Sequence, residues 1–196
     1  MMVLKKRLIL ASQSPRRIAL LRQLGIPFEA LASSVEEVID LSSTPEENAR
    51  MLAVRKAEDV AQSIQDAIVV GADTLVVYNG AILGKPADAN EAKRMLRALS
   101  DNEHRVCTAY ALIDIPSGKR AVDHEITRVK FRKIEDSEID EYVATGSPMD
   151  KAGAYGIQDD YGAVFVERVE GCFYNVVGFP LTKFFVTLKR FHSSLP

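Results

Sequence analysis

Apolar positions along the chain change repeatedly between strand-like runs and helical spacing. The runs predict strands at residues 8–11, 28–32, 67–78, 82–83, 106–113, 122–131, 164–169 and 173–177. Helical spacing predicts helices over residues 15–24 and 45–64, another from about residue 88, a short one near 139–143 and a C-terminal helix after Pro180. The last two predicted strands are expected to form a hairpin around Gly171. This alternation of strands and helices predicts an α/β fold.

Capping and turn residues support several of these boundaries. Ser14 is suited to cap a helix that begins at Pro15, and residues 44–47 have the sequence of a capping box, TPEE. Asn79-Gly80 is a strong signal for a type I′ turn between two strands. We therefore expect the strand over residues 67–78 to turn back on itself in a hairpin.

Length and composition limit the class of protein. The chain has 196 residues, of which 47% are hydrophobic and 27% charged, enough to build one sizeable core in a single domain. The net charge of -2 argues against a general nucleic-acid-binding protein, which needs a basic face. Cys107 and Cys172 have neither zinc-site nor disulfide spacing, so we expect two buried thiols. Without a signal sequence or long apolar span, we expect a cytoplasmic protein with no membrane partner.

Two arginines follow the first predicted turn. Ser14 and Pro15 place Arg16 and Arg17 in the first turn of a helix. The helix dipole disfavours each cation there by about 0.3–1 kcal/mol. An anionic ligand would reverse that sign, because free N–H groups, two guanidinium groups and neighbouring hydroxyls all favour a phosphate. The alternative is an ordinary pair of surface arginines.

Three further charged features lie in unusual surroundings. Asp73 interrupts an apolar strand, where an ionised carboxylate costs several kcal/mol unless it is paired or bound to metal. It is therefore the first candidate for catalysis, the alternative being a structural carboxylate beside a bulge at Gly71. Lys56 falls within the apolar stripe of a helix and either extends to solvent or meets an anion. Glu36-Glu37 either binds a divalent cation or is simply solvated.

The segment DKAGAYGIQ at residues 150–158 has neither helical nor strand periodicity. Its glycines and small residues suit a loop that approaches a ligand closely, although an ordinary tight connection has a similar composition. The chain contains no P-loop lysine motif, no Gly-x-Gly-x-x-Gly and no Gly-x-Ser-x-Gly. The commonest sequence signatures of nucleotide binding and hydrolysis are therefore missing.

Four short motifs nevertheless occur in order: SQSPRR at 12–17, GADT at 71–74, GKP at 84–86 and DKAGAYGIQ at 150–158. Together they resemble the Maf family of nucleoside triphosphate pyrophosphatases, from about Leu8 to Phe191. The resemblance implies one Maf-like domain over residues 1–196, of the inosine-triphosphatase-like type. Such a fold has a long mixed twisted sheet, flanking helices, two lobes and a central cleft. It also implies hydrolysis between the α and β phosphates of a nucleoside triphosphate, with Mg²⁺ or Mn²⁺.

The resemblance also assigns roles to individual residues. Asp73 corresponds to the proposed proton acceptor. The expected phosphate-binding residues are Ser12, Arg16, Arg17, Lys56 and Lys85. Glu37 is the expected metal ligand, together with Glu36 or Asp73, and the sequence leaves open whether Asp73 is a base or a ligand.

Base preference is implied by three positions. The branch of the family that acts on thymidine and uridine triphosphates has Arg16, Thr74 and Gln158, as found here, whereas a branch that acts on 7-methyl-GTP has Trp, Gln and Glu. The chain departs from its relatives at Asp159, where many have glycine. The expected activity is the removal of dTTP and UTP from the nucleotide pool, with modified pyrimidine nucleotides left open.

Two alternatives to this activity stand beside it. One is a preference for 7-methyl-GTP, and the other is a non-catalytic nucleotide-binding regulator of septum formation. Asp73, Glu37 and the basic residues are all retained, which favours the enzyme. The expected partner is the nucleotide alone, and a homodimer is left open.

Overall fold

The computed structural model describes residues 2–158 and 161–195, and over these residues the protein is α/β. The strands are β1 (Leu8–Ala11), β2 (Glu29–Leu31), β3 (Ala67–Tyr78), β4 (Ala81–Leu83), β5 (Glu103–Ile115), β6 (Arg120–Phe131) and β7 (Val166–Glu170). The helices are α1 (Pro15–Arg22), α2 (Pro45–Ala61), α3 (Ala89–Leu99), α4 (Asp136–Ala144), α5 (Phe173–Val177) and α6 (Leu181–Ser193). None of these helices is both long and apolar enough to cross a lipid bilayer.

The described strands form one mixed sheet in the order β2-β1-β3-β5-β6-β7, and β4 pairs with β3 outside this path. β1 runs parallel to both β2 and β3, with Leu8 opposite Ile68 and Leu10 opposite Val70. Parallel neighbours need a crossover connection, which α1 and α2 provide. The β3–β4 and β6–β7 pairs are antiparallel. The predicted mixed sheet with its helices is confirmed.

The predicted helix starts are confirmed by their caps. Ser14 caps α1, and Pro15 occupies its first turn. Thr44 and Glu47 form the reciprocal hydrogen bonds of a capping box at the start of α2. Because each cap satisfies backbone N–H groups that have no partner inside the helix, it fixes where the helix begins.

The predicted turn between β3 and β4 is also present. Asn79 and Gly80 both have positive φ, 48° and 80°, as a type I′ turn requires. The turn pairs Tyr78 with Ala81 and Val76 with Leu83 in antiparallel register. The short sequence signal was therefore sufficient to place this hairpin.

The chain divides into two compact units. The first consists of Met1–Thr74, Thr108–Glu125 and Gly178–Pro196, and the second of Leu75–Cys107 and Ile126–Val177. Fully buried side chains of the first unit include Leu8, Ile9, Leu10, Leu21, Leu52, Ile68, Tyr110 and Phe184. The second unit buries Leu96, Val129, Phe131, Ile139, Tyr142 and Phe165. The single domain over residues 1–196 stays a prediction.

The predicted strand at residues 173–177 is wrong, since these residues form the short helix α5. Asn175 is completely buried, and its amide donates to the Val106 carbonyl and the Thr127 hydroxyl, both at 2.9 Å. The Cys172 carbonyl accepts the backbone N–H of Asn175 at 3.1 Å. These contacts to distant strands hold a helical turn, although the two valines in this stretch favour a strand. β7 pairs with β6 instead.

The cysteines are both thiols, as expected, and neither forms a disulfide, but they differ in burial. Cys107 is buried, whereas Cys172 is only half-buried, so the expectation of two buried thiols is wrong for Cys172. Cys172 lies beyond the end of β7, where its backbone N–H donates to the Thr127 hydroxyl at 3.0 Å. Its place in this turn explains why the side chain is not within the core.

Candidate active site

The turn between β1 and α1 places two serines before two arginines. Ser12 is buried, and its Oγ accepts the Ser14 backbone N–H at 3.2 Å. Ser14 Oγ in turn accepts the Arg17 backbone N–H at 3.5 Å. Arg16 and Arg17 therefore occupy the first turn of α1, as predicted, and both are half-buried. Phosphate binding by Ser12 and Arg16 stays a prediction.

The guanidinium group of Arg17 is turned toward protein groups. Its Nε donates to the Gly178 carbonyl at 3.1 Å, and its Nη2 donates to Thr74 Oγ1 at 3.0 Å. Burial lowers the pKa of Arg17 below its ordinary value, although the nearby carboxylates of Asp73 and Glu37 favour the charged form. A guanidinium held in this way is not that of an ordinary surface arginine, so that alternative is wrong for Arg17.

The hydroxyl of Thr74 is surrounded by protein partners. Besides Arg17, it lies 3.0 Å from Thr108 Oγ1 and 3.4 Å from the Gly178 carbonyl. A hydroxyl offers one donor and two acceptor positions. The role that Thr74 has in this structure is therefore to fix the guanidinium group of Arg17, and a role in base preference stays a prediction.

The ammonium group of Lys56 bridges two carboxylates. Its Nζ donates to Glu37 Oε1 at 2.5 Å and to Asp73 Oδ1 at 2.6 Å. The Lys56 side chain is 9% exposed, so it points into the protein and does not extend to solvent. The alternative in which Lys56 extends to solvent is therefore wrong, and the anions that it meets are two carboxylates of the protein. Its binding of phosphate stays a prediction.

The carboxylate of Asp73 is 6% exposed and has the partner that its apolar surroundings require. Burial raises the pKa of Asp73 above its ordinary value, and the nearby charge of Glu37 acts in the same direction. Lys56 and Arg17 oppose this shift because they favour the ionised form. Asp73 is thus a basic carboxylate beside two cations, which is what a proton acceptor needs.

Gly71 has a packing role beside Asp73. β3 includes both residues, and a carboxylate that caps a bulge made by Gly71 stays a hypothesis. A Cβ at Gly71 would lie 2.0 Å from the Ala53 carbonyl and 2.7 Å from the Ala57 nitrogen. The missing side chain therefore lets α2 approach β3 closely. This close approach is what brings Lys56 to Asp73.

The two carboxylates that meet at Lys56 also decide whether a metal ion fits here. Glu37 and Asp73 offer hard oxygen donors, which Mg²⁺ and Mn²⁺ prefer. In the described part of the chain no group of three or more Asp, Glu, His or Cys is arranged to hold a metal. An ion at this pair would thus take its other ligands from water and phosphate, as Mg²⁺ commonly does. The donor set fits, and metal dependence stays a prediction.

The two remaining predicted site residues belong to the second unit. Lys85 is exposed and follows β4. Gln158 is half-buried, and its Nε2 is a buried donor with no hydrogen-bond partner among residues 2–158 and 161–195. Such a donor is costly unless something accepts from it. Asp159, the departure from the family pattern, lies outside the described residues.

Part of the predicted ligand loop is a tight connection. Ser147–Asp150 and Ala152–Ala154 form 3₁₀ turns, and Gly153 has φ 69°. A Cβ at Gly153 would lie 3.0 Å from the Val76 side chain. Packing of the chain against β3 therefore explains the glycine in this motif.

The sequence reasoning missed two residues that contact Arg17 or Thr74. Thr108 is a fully buried polar residue within the apolar strand β5, the same kind of signal that identified Asp73. Gly178 contributes only its backbone carbonyl, and residue type does not mark a carbonyl. Thr108 could have been found from the sequence, whereas Gly178 could not.

Comparison with known proteins identifies the family of this chain. A family model described as Maf-like protein matches residues 7–191. A dTTP/UTP pyrophosphatase of Pelotomaculum thermopropionicum is 50% identical over 186 residues, which cover 95% of this chain and 97% of that protein. Proteins of the same name from Alkaliphilus oremlandii and Alkaliphilus metalliredigens are also 50% identical, covering 94% and 97% of this chain and 96% and 99% of their own. The chain therefore belongs to the Maf family.

Proposed function

We propose that this protein is a nucleoside triphosphate pyrophosphatase that converts dTTP and UTP to the monophosphate and pyrophosphate. The observation that carries the proposal is the buried carboxylate of Asp73, held by Lys56 beside Glu37 and close to Arg17. The relatives that are 50% identical over almost the whole chain are named dTTP/UTP pyrophosphatases. Family membership and site chemistry thus support the same reaction.

In the proposed reaction, Asp73 accepts a proton from the attacking water. The oxygen of that water bonds to phosphorus, the bond between the α and β phosphates breaks, and pyrophosphate leaves. A carboxylate whose pKa is raised by burial is a stronger base when it is ionised. Lys56 donates to Asp73 and so holds the carboxylate in one orientation.

Basic and hydroxyl side chains supply the proposed phosphate contacts. Arg16 and Arg17 lie in the first turn of α1, where backbone N–H groups and the helix dipole also favour an anion. Ser12 lies in the turn just before them, and Lys85 is the remaining residue proposed to bind phosphate. Positive charge at these positions stabilises the negative charge that develops on the leaving pyrophosphate.

Glu37 and Asp73 are the residues that would hold Mg²⁺ or Mn²⁺. The bound ion would neutralise phosphate charge and help to orient the substrate. Lys56 bridges the same two carboxylates, and its positive charge offsets the repulsion between them. The site thus has both a resident cation and a donor set suited to a second one.

We further propose that Gln158 contacts the base. Its buried Nε2 lacks a partner among the described residues and can donate to a carbonyl oxygen of uracil or thymine. Its Oε1 can accept from the ring N–H that lies between the two carbonyls of these bases. Arg16 and Thr74 are the other two residues proposed to set the preference for the base. Thr74 is proposed to act by holding the guanidinium group of Arg17. A glutamate at position 158 would offer acceptors only.

The proposed setting is the cytoplasm, with free nucleotides as the only partner and neither nucleic acid nor membrane involved. A homodimer is left open. The second candidate, a non-catalytic regulator of cell division, does not require a buried basic carboxylate. Asp73 with its two cationic neighbours therefore favours the enzyme.

A panel of nucleoside triphosphates tests this proposal. The purified protein is incubated with each nucleotide and Mg²⁺, Mn²⁺ or EDTA, and orthophosphate and pyrophosphate are measured separately. We expect pyrophosphate from dTTP and UTP, much less from 7-methyl-GTP, and no turnover with EDTA. Release of orthophosphate would contradict cleavage between the α and β phosphates. A protein that hydrolyses no nucleotide of the panel would contradict the proposal that it is an enzyme. Full activity in EDTA would contradict only the proposed metal dependence and not the proposed reaction.

A further inference from the structure

The segment that carries Glu37 contains neither helix nor strand. β2 ends at Leu31 and α2 begins at Pro45, and the residues between them are mostly exposed. Leu41, for example, is 95% exposed. A segment of this kind has little buried apolar surface to fix its conformation. Glu37 Oε1 nevertheless lies 2.5 Å from Lys56 Nζ. Further hydrogen bonds hold the segment on both sides of Glu37.

One end of the segment is held by Asn48 of α2. Asn48 is completely buried, and its Oδ1 accepts the Asp40 backbone N–H at 2.8 Å. Its Nδ2 donates to the carbonyls of Asp40, Ser43 and Thr44 at 2.9, 3.3 and 3.1 Å. These bonds satisfy four backbone groups at once, so the chain is fixed on the C-terminal side of Glu37.

The other end is held by Asp59, which also belongs to α2. Its Oδ2 accepts the Ser34 backbone N–H at 2.8 Å, and the Ser34 hydroxyl lies 3.3 and 3.4 Å from the two carboxylate oxygens. The Ser34 N–H lowers the pKa of Asp59, and the Ser33 hydroxyl adds to this shift. The ionised carboxylate is therefore the form that binds the segment.

Asn48, Lys56 and Asp59 all project from one side of α2. At about 100° per residue, Asp59 is three turns along the helix from Asn48 and nearly in line with it, and Lys56 lies within about 80° of both. Ser34 and Asp40, the residues held at the two ends, each lie three positions from Glu37. One helix face therefore binds both ends of the segment and the carboxylate at its middle.

We propose that Asp59 is a positioning residue for Glu37, and that it acts by fixing Ser34 on α2. The proposal rests on the proposed function, because it treats Glu37 as part of the active site. Asn48 fixes the chain on the C-terminal side of Glu37, and the hydrogen bond that the Ser34 N–H donates to Asp59 fixes it on the N-terminal side. Small displacements of such a group are costly, because catalysis depends on closely defined geometry.

The variants Asp59→Ala and Asp59→Asn separate the hydrogen bond from the charge. Asp59→Ala removes both, and we expect kcat/KM for UTP to fall roughly tenfold. Asp59→Asn also removes the charge but keeps an oxygen that accepts the Ser34 N–H, so it is expected to restore most of the activity. Glu58→Ala is the matched control, because Glu58 is the neighbouring α2 carboxylate and pairs with Arg120 on β6.

A double-mutant cycle shows whether Asp59 acts through Glu37. In a Glu37→Gln background, Asp59→Ala is expected to cause little further loss, since the group that it positions has already been changed. If the role of Asp59 were purely structural, Asp59→Ala would lower kcat/KM by the same factor in both backgrounds. The proposal would be overturned if the losses in kcat/KM from Asp59→Ala and Glu37→Gln were additive. It would also be overturned if Asp59→Ala had the same kcat/KM as the control Glu58→Ala.

Amide hydrogen exchange of residues 33–40 gives a readout that does not depend on activity. We expect faster exchange in Asp59→Ala, and parental exchange in Asp59→Asn and Glu58→Ala. Unchanged exchange in Asp59→Ala would overturn the proposal even if activity fell. A parent protein that hydrolyses no nucleotide would instead contradict the proposed function, while the exchange experiment would still decide whether Asp59 holds the segment.

Discussion

The Lys56 ammonium satisfies two carboxylates at once, and this explains why an acidic residue is tolerated in the apolar strand β3. Asp73 and Glu37 each accept one hydrogen bond from it. The charge of Arg17 also favours the ionised form of Asp73, although burial raises its pKa overall. Asp73 is thus poised between the stabilisation of its charge and its desolvation, a balance that is typical of catalytic carboxylates.

The first prediction concerns Asp73→Asn, which removes the proposed base and keeps the shape of the side chain. We expect kcat to fall by roughly 10²–10⁴ fold, as the loss of a general base commonly does. The fold should survive because the amide avoids the cost of a buried charge and Lys56 keeps Glu37 as a partner. Pyrophosphate release and thermal melting are measured on the same preparation.

Asp66→Asn is the control for this substitution. Asp66 is also an aspartate paired with a lysine, Lys6, at 3.1 Å, but its side chain is 67% exposed. We expect it to keep parental turnover. Near-parental turnover in a well-folded Asp73→Asn would show that Asp73 is part of the scaffold only.

The second prediction concerns Thr74→Val, which removes a hydroxyl with little change of volume. The Arg17 guanidinium group would lose the acceptor of its Nη2, and a hydrogen bond to a charged group is worth about 1.5–3 kcal/mol. We therefore expect kcat/KM for UTP to fall by about tenfold or more. Thr187→Val is the control, because Thr187 has a similar 2.8 Å bond to the hydroxyl of Tyr110. Equal activity of the two variants would contradict a role of Thr74 through Arg17.

At the residue scale, charged residues within apolar sequence patterns identified the candidate site. The patterns could not predict which of these side chains contact each other. Asp73 and Lys56 stood out because each is a charged residue in an apolar pattern. That they contact each other depends on how α2 lies on β3, which no local pattern contains. The bond from Thr74 to Arg17 joins residues far apart in the sequence and was unpredictable for the same reason.

At the scale of elements, α2 connects packing to chemistry. Its Ala53 and Ala57 lie directly over Gly71 of β3. Its polar residues Asn48, Lys56 and Asp59 hold the segment that carries Glu37. A shift of α2 relative to β3 would therefore move Lys56 and the Glu37 segment together with respect to Asp73.

The third prediction follows from this packing. In Gly71→Ala the new Cβ would lie 2.0 Å from the Ala53 carbonyl, a backbone atom that can move only with α2. Overpacking of a core typically costs about 1–3 kcal/mol, and we expect the free energy of unfolding to fall by about 3 kcal/mol or more. Urea unfolding followed by circular dichroism measures it.

Gly84→Ala is the control for Gly71→Ala. Nothing lies within 4 Å of the Cβ position at Gly84, and we expect a change within about 0.5 kcal/mol. If the two variants had the same stability, the close approach of α2 to β3 would not be what Gly71 provides.

Elements with local signals were predictable, whereas α5 was not. Ser14 and Thr44 mark the starts of α1 and α2 because caps are made by neighbours in sequence. Residues 173–177 became a helix because of the bonds of Asn175 to β5 and β6. Contacts between distant elements override local propensity there.

At the scale of the whole molecule, most of the residues predicted from the sequence to be functional belong to one of the two units. Ser12, Arg16, Arg17 and Thr74 all belong to the first unit, as do the three residues of the Lys56 bridge, whereas Lys85 and Gln158 belong to the second. The resemblance of four short motifs to one family anticipated the fold over nearly the full length of the chain, and the match over residues 7–191 confirmed it. The resemblance could not predict which residues form hydrogen bonds within either unit.

The fourth prediction concerns how stability depends on pH, and it depends on His104 in the core of the second unit. The ring of His104 packs edge-on against Phe131 and Tyr155, at centroid distances of 4.9 and 5.3 Å. Its Nε2 lies 2.8 Å from the Tyr155 hydroxyl. Burial lowers the pKa of His104 to about 4. The folded protein therefore holds this imidazole in its neutral form at physiological pH.

The sign of the effect follows from the two states. The unfolded chain binds a proton at His104 below about pH 6.5, whereas the folded protein does so only near pH 4. In that interval the unfolded state binds more protons, so the free energy of unfolding falls as the pH falls. Protonation of His104 lowers the free energy of unfolding by about 3 kcal/mol in total, and about 2 kcal/mol of this decrease is reached by about pH 5.

Urea unfolding of the parent and His104→Gln at about pH 7.5 and about pH 5 measures this contribution. The glutamine keeps a polar group near the Tyr155 hydroxyl but does not titrate, so the parent should lose about 2 kcal/mol more than the variant between the two pH values. Titrating carboxylates affect both proteins alike and cancel in the difference. His192→Gln is the control, because His192 accepts the Lys5 backbone N–H on the surface, and it should follow the parent. A parental pH dependence in His104→Gln would mean that His104 is already protonated in the fold or exposed to water.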